Sequence, residues 1–217
     1  MNFTGYTPQT IDFLWGIRMN NDREWFLAHK QDYLSTLYEP TKALGRDLFG
    51  PFLDTPGNLL KVSRIYRDTR LHPAVPYKES LWICIRREAD WWSENPCLFF
   101  EIRPEGAAFG FCLWKPRPAS MEAFRRRLDE NPGEFLDMLE QVQQAAGMTV
   151  TGSSYKRPKP CEDPRIAPWY SWKDQISCIR HLSVGPELFG PELEETVQTL
   201  FSQLTPLYEY FNLVLNL

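Results

Sequence analysis

The sequence predicts an α+β fold: an antiparallel sheet of about five strands with helices packed mainly on one face. Three observations carry this reading. Apolar residues fall at helical spacing over 7–53, alternate over 61–114, and return to helical spacing over 120–146 and near the C-terminal end. The alternating runs are joined by short connections rich in Pro, Gly and Asn, as hairpins require. A chain of 217 residues can bury roughly 70% of its unfolded surface, so one domain over 1–217 needs no metal or disulfide to hold it.

The elements follow in order. Thr7 and Pro8 open a helix, with a hydroxyl cap and proline at the first helical position, and Ile11, Leu14 and Trp15 share a face. Asn21 and Glu24 have capping-box spacing for a second helix striped by Phe26, His29, Tyr33 and Leu37. Pro40 is expected to break or restart it, with Leu44, Leu48 and Phe49 in a third segment. Strands are expected near 61–67, 80–87, 97–103 and 107–114. Leu81, Ile83, Ile85, Leu98, Phe100, Ile102, Phe109, Phe111 and Leu113 form their core face. The other face is mixed, with Trp82, Cys84 and Arg86 beside Phe99, Glu101 and Arg103. Helices return at 120–130 and 133–146, followed by a Pro-rich loop over 152–168. The stretch 175–217 holds a final strand, "QISCIRHLSV", and a helix from near Pro191, with a new turn or kink expected at Thr205-Pro206.

A net charge of −4 argues against nucleic acid as a partner. Charge is uneven, however. Seven Lys or Arg stand between Lys61 and Arg87 against Asp68 and Glu79, whereas 187–217 holds five Glu and no Lys or Arg. The five cysteines (84, 97, 112, 161 and 178) form no C-x-x-C pair and have no closely spaced His, so no metal or cofactor is expected. "MNFTGYTPQT" lacks the basic and apolar regions of a secretory signal. No uncharged apolar run approaches the roughly 20 residues that cross a bilayer. The expectation is a soluble cytoplasmic protein with reduced thiols and no membrane partner.

The positive charge concentrates in "RIYRDTRLHPAVPYK", Arg64 to Lys78. Alternation puts Arg64 and Tyr66 on one face of a strand and Ile65 and Arg67 on the other. Asp68 can satisfy one arginine bidentately, leaving the remaining cations in need of other partners. This predicts a site for a small anionic ligand bearing phosphate or carboxylate. Arg64, Arg67, Arg70 and Lys78 would contact the anion, Tyr66 and Tyr77 would hydrogen-bond to it, and Asp68 would orient an arginine. Glu101 is the acid/base candidate if the site does chemistry. The alternative is a non-catalytic protein-interaction or scaffold domain in which the arginines are structural ion pairs, Arg64 with Glu101 or with the acidic C-terminal segment. His29, His72 and His181 are scattered, and His29 is expected to be packed and hydrogen-bonded. Trp91 and Trp92 either form a partner surface or fold over the core, and Lys156-Arg157 either lids the mixed face or is exposed. No Gly-rich phosphate loop, G-x-S-x-G elbow or H-E-x-x-H occurs.

Taken in order, "FTGYTPQTIDFL", "NNDREWFLAHKQDY", "RIYRDTR…PYK", "FFEIRPEGAAFGFCLWKP" and "YKRPKP" resemble a family of uncharacterised bacterial and fungal proteins, a domain of unknown function. The resemblance rests on Asn21, Arg23, Glu24, Trp25 and Phe26, then on Arg64, Ile65, Tyr66, Arg67, Asp68 and Arg70, and on Pro76, Tyr77 and Lys78. It implies one intact domain and no assigned activity. The chain departs from the family over Leu71-His72-Pro73-Ala74-Val75, where members carry Phe and lysines; any anion pocket here must do without those cations.

Overall fold

The computed structural model describes residues 2–68, 70–72, 74–88 and 92–215, the Trp92 side chain excepted. Helix α1 (Pro8–Met19) follows Thr7 as expected, and the Thr7 N–H donates to Thr10 Oγ1 at 3.1 Å. The next rod runs through α2 (Arg23–Ala28), α3 (Lys30–Asp32), a π-helical turn (Tyr33–Tyr38) and α4 (Glu39–Phe49). Its cap is Asp22, whose Oδ1 accepts from the Trp25 N–H at 2.9 Å, and not Asn21.

Pro40 does not break the rod. Having no N–H, it cannot bond the Thr36 carbonyl four residues back. The buried Thr10 hydroxyl donates to that carbonyl instead, at 2.7 Å. Beside it, Thr41 Oγ1 donates to the Leu37 carbonyl at 2.7 Å and lies 2.9 Å from the Tyr6 hydroxyl. The π-turn and this chain of hydroxyls absorb the missing donor.

The remaining elements are β1 (Asn58–Val62), β2 (Leu81–Arg87), β3 (Cys97–Arg103), β4 (Gly106–Leu113), α5 (Pro118–Glu130), α6 (Pro132–Ala146), β5 (Thr151–Ser154), α7 (Ala167–Tyr170), β6 (Trp172–Ser183), α8 (Pro186–Phe189) and α9 (Glu192–Val214). They form one α+β domain around a six-stranded sheet of order β1-β2-β3-β4-β6-β5, with every neighbouring pair antiparallel. The expected five strands become six because Thr151–Ser154, at the start of the Pro-rich loop, pairs with β6 in an irregular register. Its small polar residues carry no alternating signal. The first strand starts at Asn58 and stops at Val62, earlier than expected. Helix α9 continues across Pro206 without ending there.

Helices gather on one face of the sheet, with α4 on β1 and β2 and α9 on β3 and β4. The apolar positions expected on the core face are all buried there. Tyr6 stacks on Phe100 at 6.0 Å, and Phe211 stacks on Phe111 at 5.8 Å. Across the opposite face, Trp82, Arg86, Phe99, Cys112 and Ile179 remain only half-buried, and Arg103 and His181 are exposed. Gly110 belongs to that face: with φ +145° and the Cys178 carbonyl 2.1 Å from where a Cβ would sit, no side chain fits. Among the described residues no helix is long and apolar enough to cross a membrane.

Candidate functional site

The cationic segment is an arch between β1 and β2. Where the regular ladder stops, Ser63 extends it: its N–H donates to the Trp82 carbonyl (2.8 Å), and its Oγ accepts from the Trp82 N–H (2.9 Å). Ile65 is fully buried and roots the arch in the core. Above it, Lys78 N–H bonds the Ile65 carbonyl (2.7 Å), Arg67 N–H bonds the Pro76 carbonyl (2.8 Å), and Tyr66 bridges Tyr77. Thr69 and Pro73, in the turn of the arch, lie outside the described residues.

A single carboxamide ties the arch to the N-terminal helices. Asn21 Oδ1 accepts from the Tyr77 N–H at 3.0 Å, and its Nδ2 donates to the Tyr77 carbonyl at 3.1 Å. Asn21 thus acts as a one-residue strand, which explains why capping falls to Asp22. Arg67 Nε donates to the same carbonyl at 2.8 Å.

Between the arch and the open face of β1 and β2 lies a cleft of about 480 Å3. Of the expected residues, Arg64, Tyr66, Arg67, Asp68 and Lys78 line it. Lys61, Trp82 and Arg86 join them; alternation places the last two on the mixed face, but Lys61 required the true register of β1. Arg67 reaches the cleft although strict alternation assigns it to the Ile65 side, because regular strand geometry ends at Val62.

Arg70 and Tyr77 do not line the cleft. The Arg70 guanidinium is 88% exposed and grips Asp68 through Nε (3.0 Å) and Nη2 (2.7 Å). That pair holds the Asp68 carboxyl below its usual range. The Tyr77 ring is buried, stacked 4.3 Å from Phe26, and burial pushes its phenol up.

The electrostatics are one-sided. Lys78 Nζ donates to the Arg64 carbonyl (2.8 Å) and lies 5.7 Å over the Trp82 ring. Desolvation, then the fields of Arg67 and Arg64, lower its pKa below the ordinary lysine value. Arg86 Nη1 donates to the Arg87 carbonyl at 2.9 Å. Arg67 Nη2 is 3.9 Å from Glu79, whose other oxygen is held by Arg18 Nε at 2.6 Å.

The expected pairing of Arg64 with Glu101 does not form. Glu101 accepts from Ser80 Oγ at 2.7 Å and pairs with Arg103. The acidic C-terminal helix lies across the sheet and reaches this basic stretch at Arg87, whose Nη2 is 2.7 Å from Glu209. His29 is stacked on Trp25 at 4.1 Å with Nδ1 at the Trp25 carbonyl. Lys156 and Arg157 are exposed. Trp91 and the Trp92 side chain lie outside the described residues. Among the described residues, no group of three or more His, Cys, Asp or Glu is placed to hold a metal ion.

A profile described as "Conserved hypothetical protein (DUF2461)" matches residues 9–210. The chain belongs to that family. The match spans the helical rods, the whole sheet and the arch, so the cleft is built entirely from family sequence. No curated protein matches the chain.

Proposed function

We propose that the protein binds a small anionic ligand, bearing phosphate or carboxylate, in the cleft between the arch and the open face of β1 and β2. One observation carries the reading: among the described residues, five cations and one carboxylate line the cleft, and that carboxylate already belongs to Arg70. Among the described residues, no carboxylate lies within 4.0 Å of Lys61, Arg64, Lys78 or Arg86. Cations gathered in a partly desolvated cleft repel one another, and an anion there relieves both the repulsion and the lost hydration. Arg64 and Arg86 offer planar donor forks suited to phosphate or carboxylate, with Lys61 and Lys78 as point charges. The ion pairs of the competing scaffold reading account for Arg70 and, through Glu79, partly for Arg67. Among the described residues they leave Arg64, Lys61, Lys78 and Arg86 without a carboxylate.

A thermal-shift panel of phosphate, pyrophosphate, citrate and chloride tests the reading. A ligand at a hundred times its Kd adds ~2.7 kcal/mol, about 5–10 °C for a chain of this size. Pyrophosphate should give such a shift, and Arg64→Ala should abolish it while leaving the Tm without ligand within about 2 °C, as for an exposed residue. A flat panel, or an undiminished shift in a Lys61→Ala/Arg64→Ala double variant, overturns the proposal.

A further inference from the structure

The cleft is not uniformly polar, and its apolar part restricts what the anion can be. Tyr66, 54% exposed, forms one wall, and the half-buried Trp82 also lines the space. An inorganic anion uses donors alone and has no use for the exposed Tyr66 ring.

Both rings are already ordered. Tyr66 is held by its backbone bridge to Tyr77 and by an edge contact with Phe26 at 5.7 Å and 72°. Trp82 is fixed in β2, with Ser63 on its N–H and Lys78 over its ring. Little conformational freedom is therefore lost when something flat packs against them. Tyr66 is the exposed ring of the two, and the Lys78 ammonium lies over Trp82.

Size and charge agree. A volume of about 480 Å3 falls in the roughly 300–1,000 Å3 range of clefts that hold an organic ligand. Beyond the cations the open face continues along one cross-strand row through Cys84, Phe99, Gly110 and Ile179, which bears no charge. Several cations with no carboxylate partner among the described residues favour a ligand with more than one negative charge. The net charge of −4 disfavours a long polyanion, whereas a single small one meets only the local field of the cleft.

We propose that the ligand is a phosphate ester carrying a flat aromatic ring, the chemistry of a nucleotide. Its phosphates lie among Lys61, Arg64 and Arg86, and its ring lies against Tyr66. This rests on the anion-site reading of the same cleft. Stacking of a base on an aromatic side chain amounts to roughly a five- to 150-fold gain in affinity.

Calorimetric titration with pyrophosphate, ADP and adenosine separates the two claims. ADP should bind at least about fivefold more tightly than pyrophosphate, an anion of comparable charge, and adenosine should bind far more weakly than either. Tyr66→Leu should bring ADP down to the pyrophosphate affinity, and Tyr66→Phe should retain the difference. The ring is exposed, so neither change threatens the fold. Equal affinities for ADP and pyrophosphate in the unaltered protein, or an ADP advantage that survives Tyr66→Leu, overturn the nucleotide proposal and leave the anion site standing. If neither compound binds, the anion-site reading falls with it.

Discussion

The two faces of this sheet use the same alternation for opposite purposes. On the helix side, Ile83, Ile85, Leu98, Phe100 and Phe111 are buried against α4 and α9. On the other side, the intervening Trp82, Arg86, Phe99 and Cys112 stay half-buried, and Arg86 joins the cations that β1 and the arch bring to the cleft. Stability is concentrated where surface leaves water, at about 25 cal/mol per Å2 of apolar area. The open face contributes less and, among the described residues, gathers five cations beside one carboxylate.

The adjacent residues Phe99 and Phe100 offer the sharpest break of this comparison, because they differ in direction and not in chemistry. Phe100→Ala empties space beside Tyr6 and Phe109 and should cost about 3–5 kcal/mol in urea denaturation. Phe99→Ala, on the open face, should cost about 1 kcal/mol. Equal costs would mean that the second face is covered in solution and that the comparison is wrong.

A smaller effect sharpens the join between the two layers. Asn21 links the helix-side rods to the arch through both polar groups of Tyr77, and Asn21→Ala leaves that N–H without its partner. The cost should be about 1–3 kcal/mol by chemical denaturation. Asp22→Ala removes an N-cap and should cost about 1 kcal/mol. Asn21→Asp keeps the acceptor but loses the donor, so it should fall between Asn21→Ala and the unaltered protein. An Asn21→Ala variant as stable as the unaltered protein would show that the arch holds its shape without this tie.

These residues also show where the sequence is legible. Alternation marks Phe99 and Phe100 as opposite in fate because β3 and its neighbours are long and regular, and each position has one polarity. Asn21 was misleading: its spacing to Glu24 fits a capping box, but the distant Tyr77 backbone takes its carboxamide and the cap falls to Asp22. Thr151–Ser154 was silent because a short edge strand of small polar residues needs no alternation. Within the cleft, the charge run identified Arg64 and Lys78 as neighbours. Lys61 depended on a register five residues long, and Tyr77 on packing against Phe26 that no local pattern encodes. Arg70 was assigned by charge alone, and Asp68, two residues away, takes it into solvent.

The smallest expected effect concerns pH, where the two faces pull in opposite directions. On the helix side, burial raises the phenols of Tyr6, Tyr208 and Tyr210 above the usual range. Above pH 10 the unfolded chain gives up those protons while the folded one keeps them, so stability falls as pH rises. Lys78 behaves in the reverse sense. Desolvation and the fields of Arg67, Arg64 and Lys61 lower its folded pKa, opposed by Glu101, while the unfolded chain keeps its proton to the ordinary value of 10.5. Between those two points the unfolded state holds more protons, so Lys78 makes stability rise with pH and then level off above 10.5. The difference in unfolding free energy between the unaltered protein and Lys78→Met, followed from pH 7 to 10, cancels the tyrosines and leaves this slope. A difference that stays flat, or that falls with pH, would show that Lys78 is neutralised by a partner and that the cleft lacks the excess positive field on which anion binding depends.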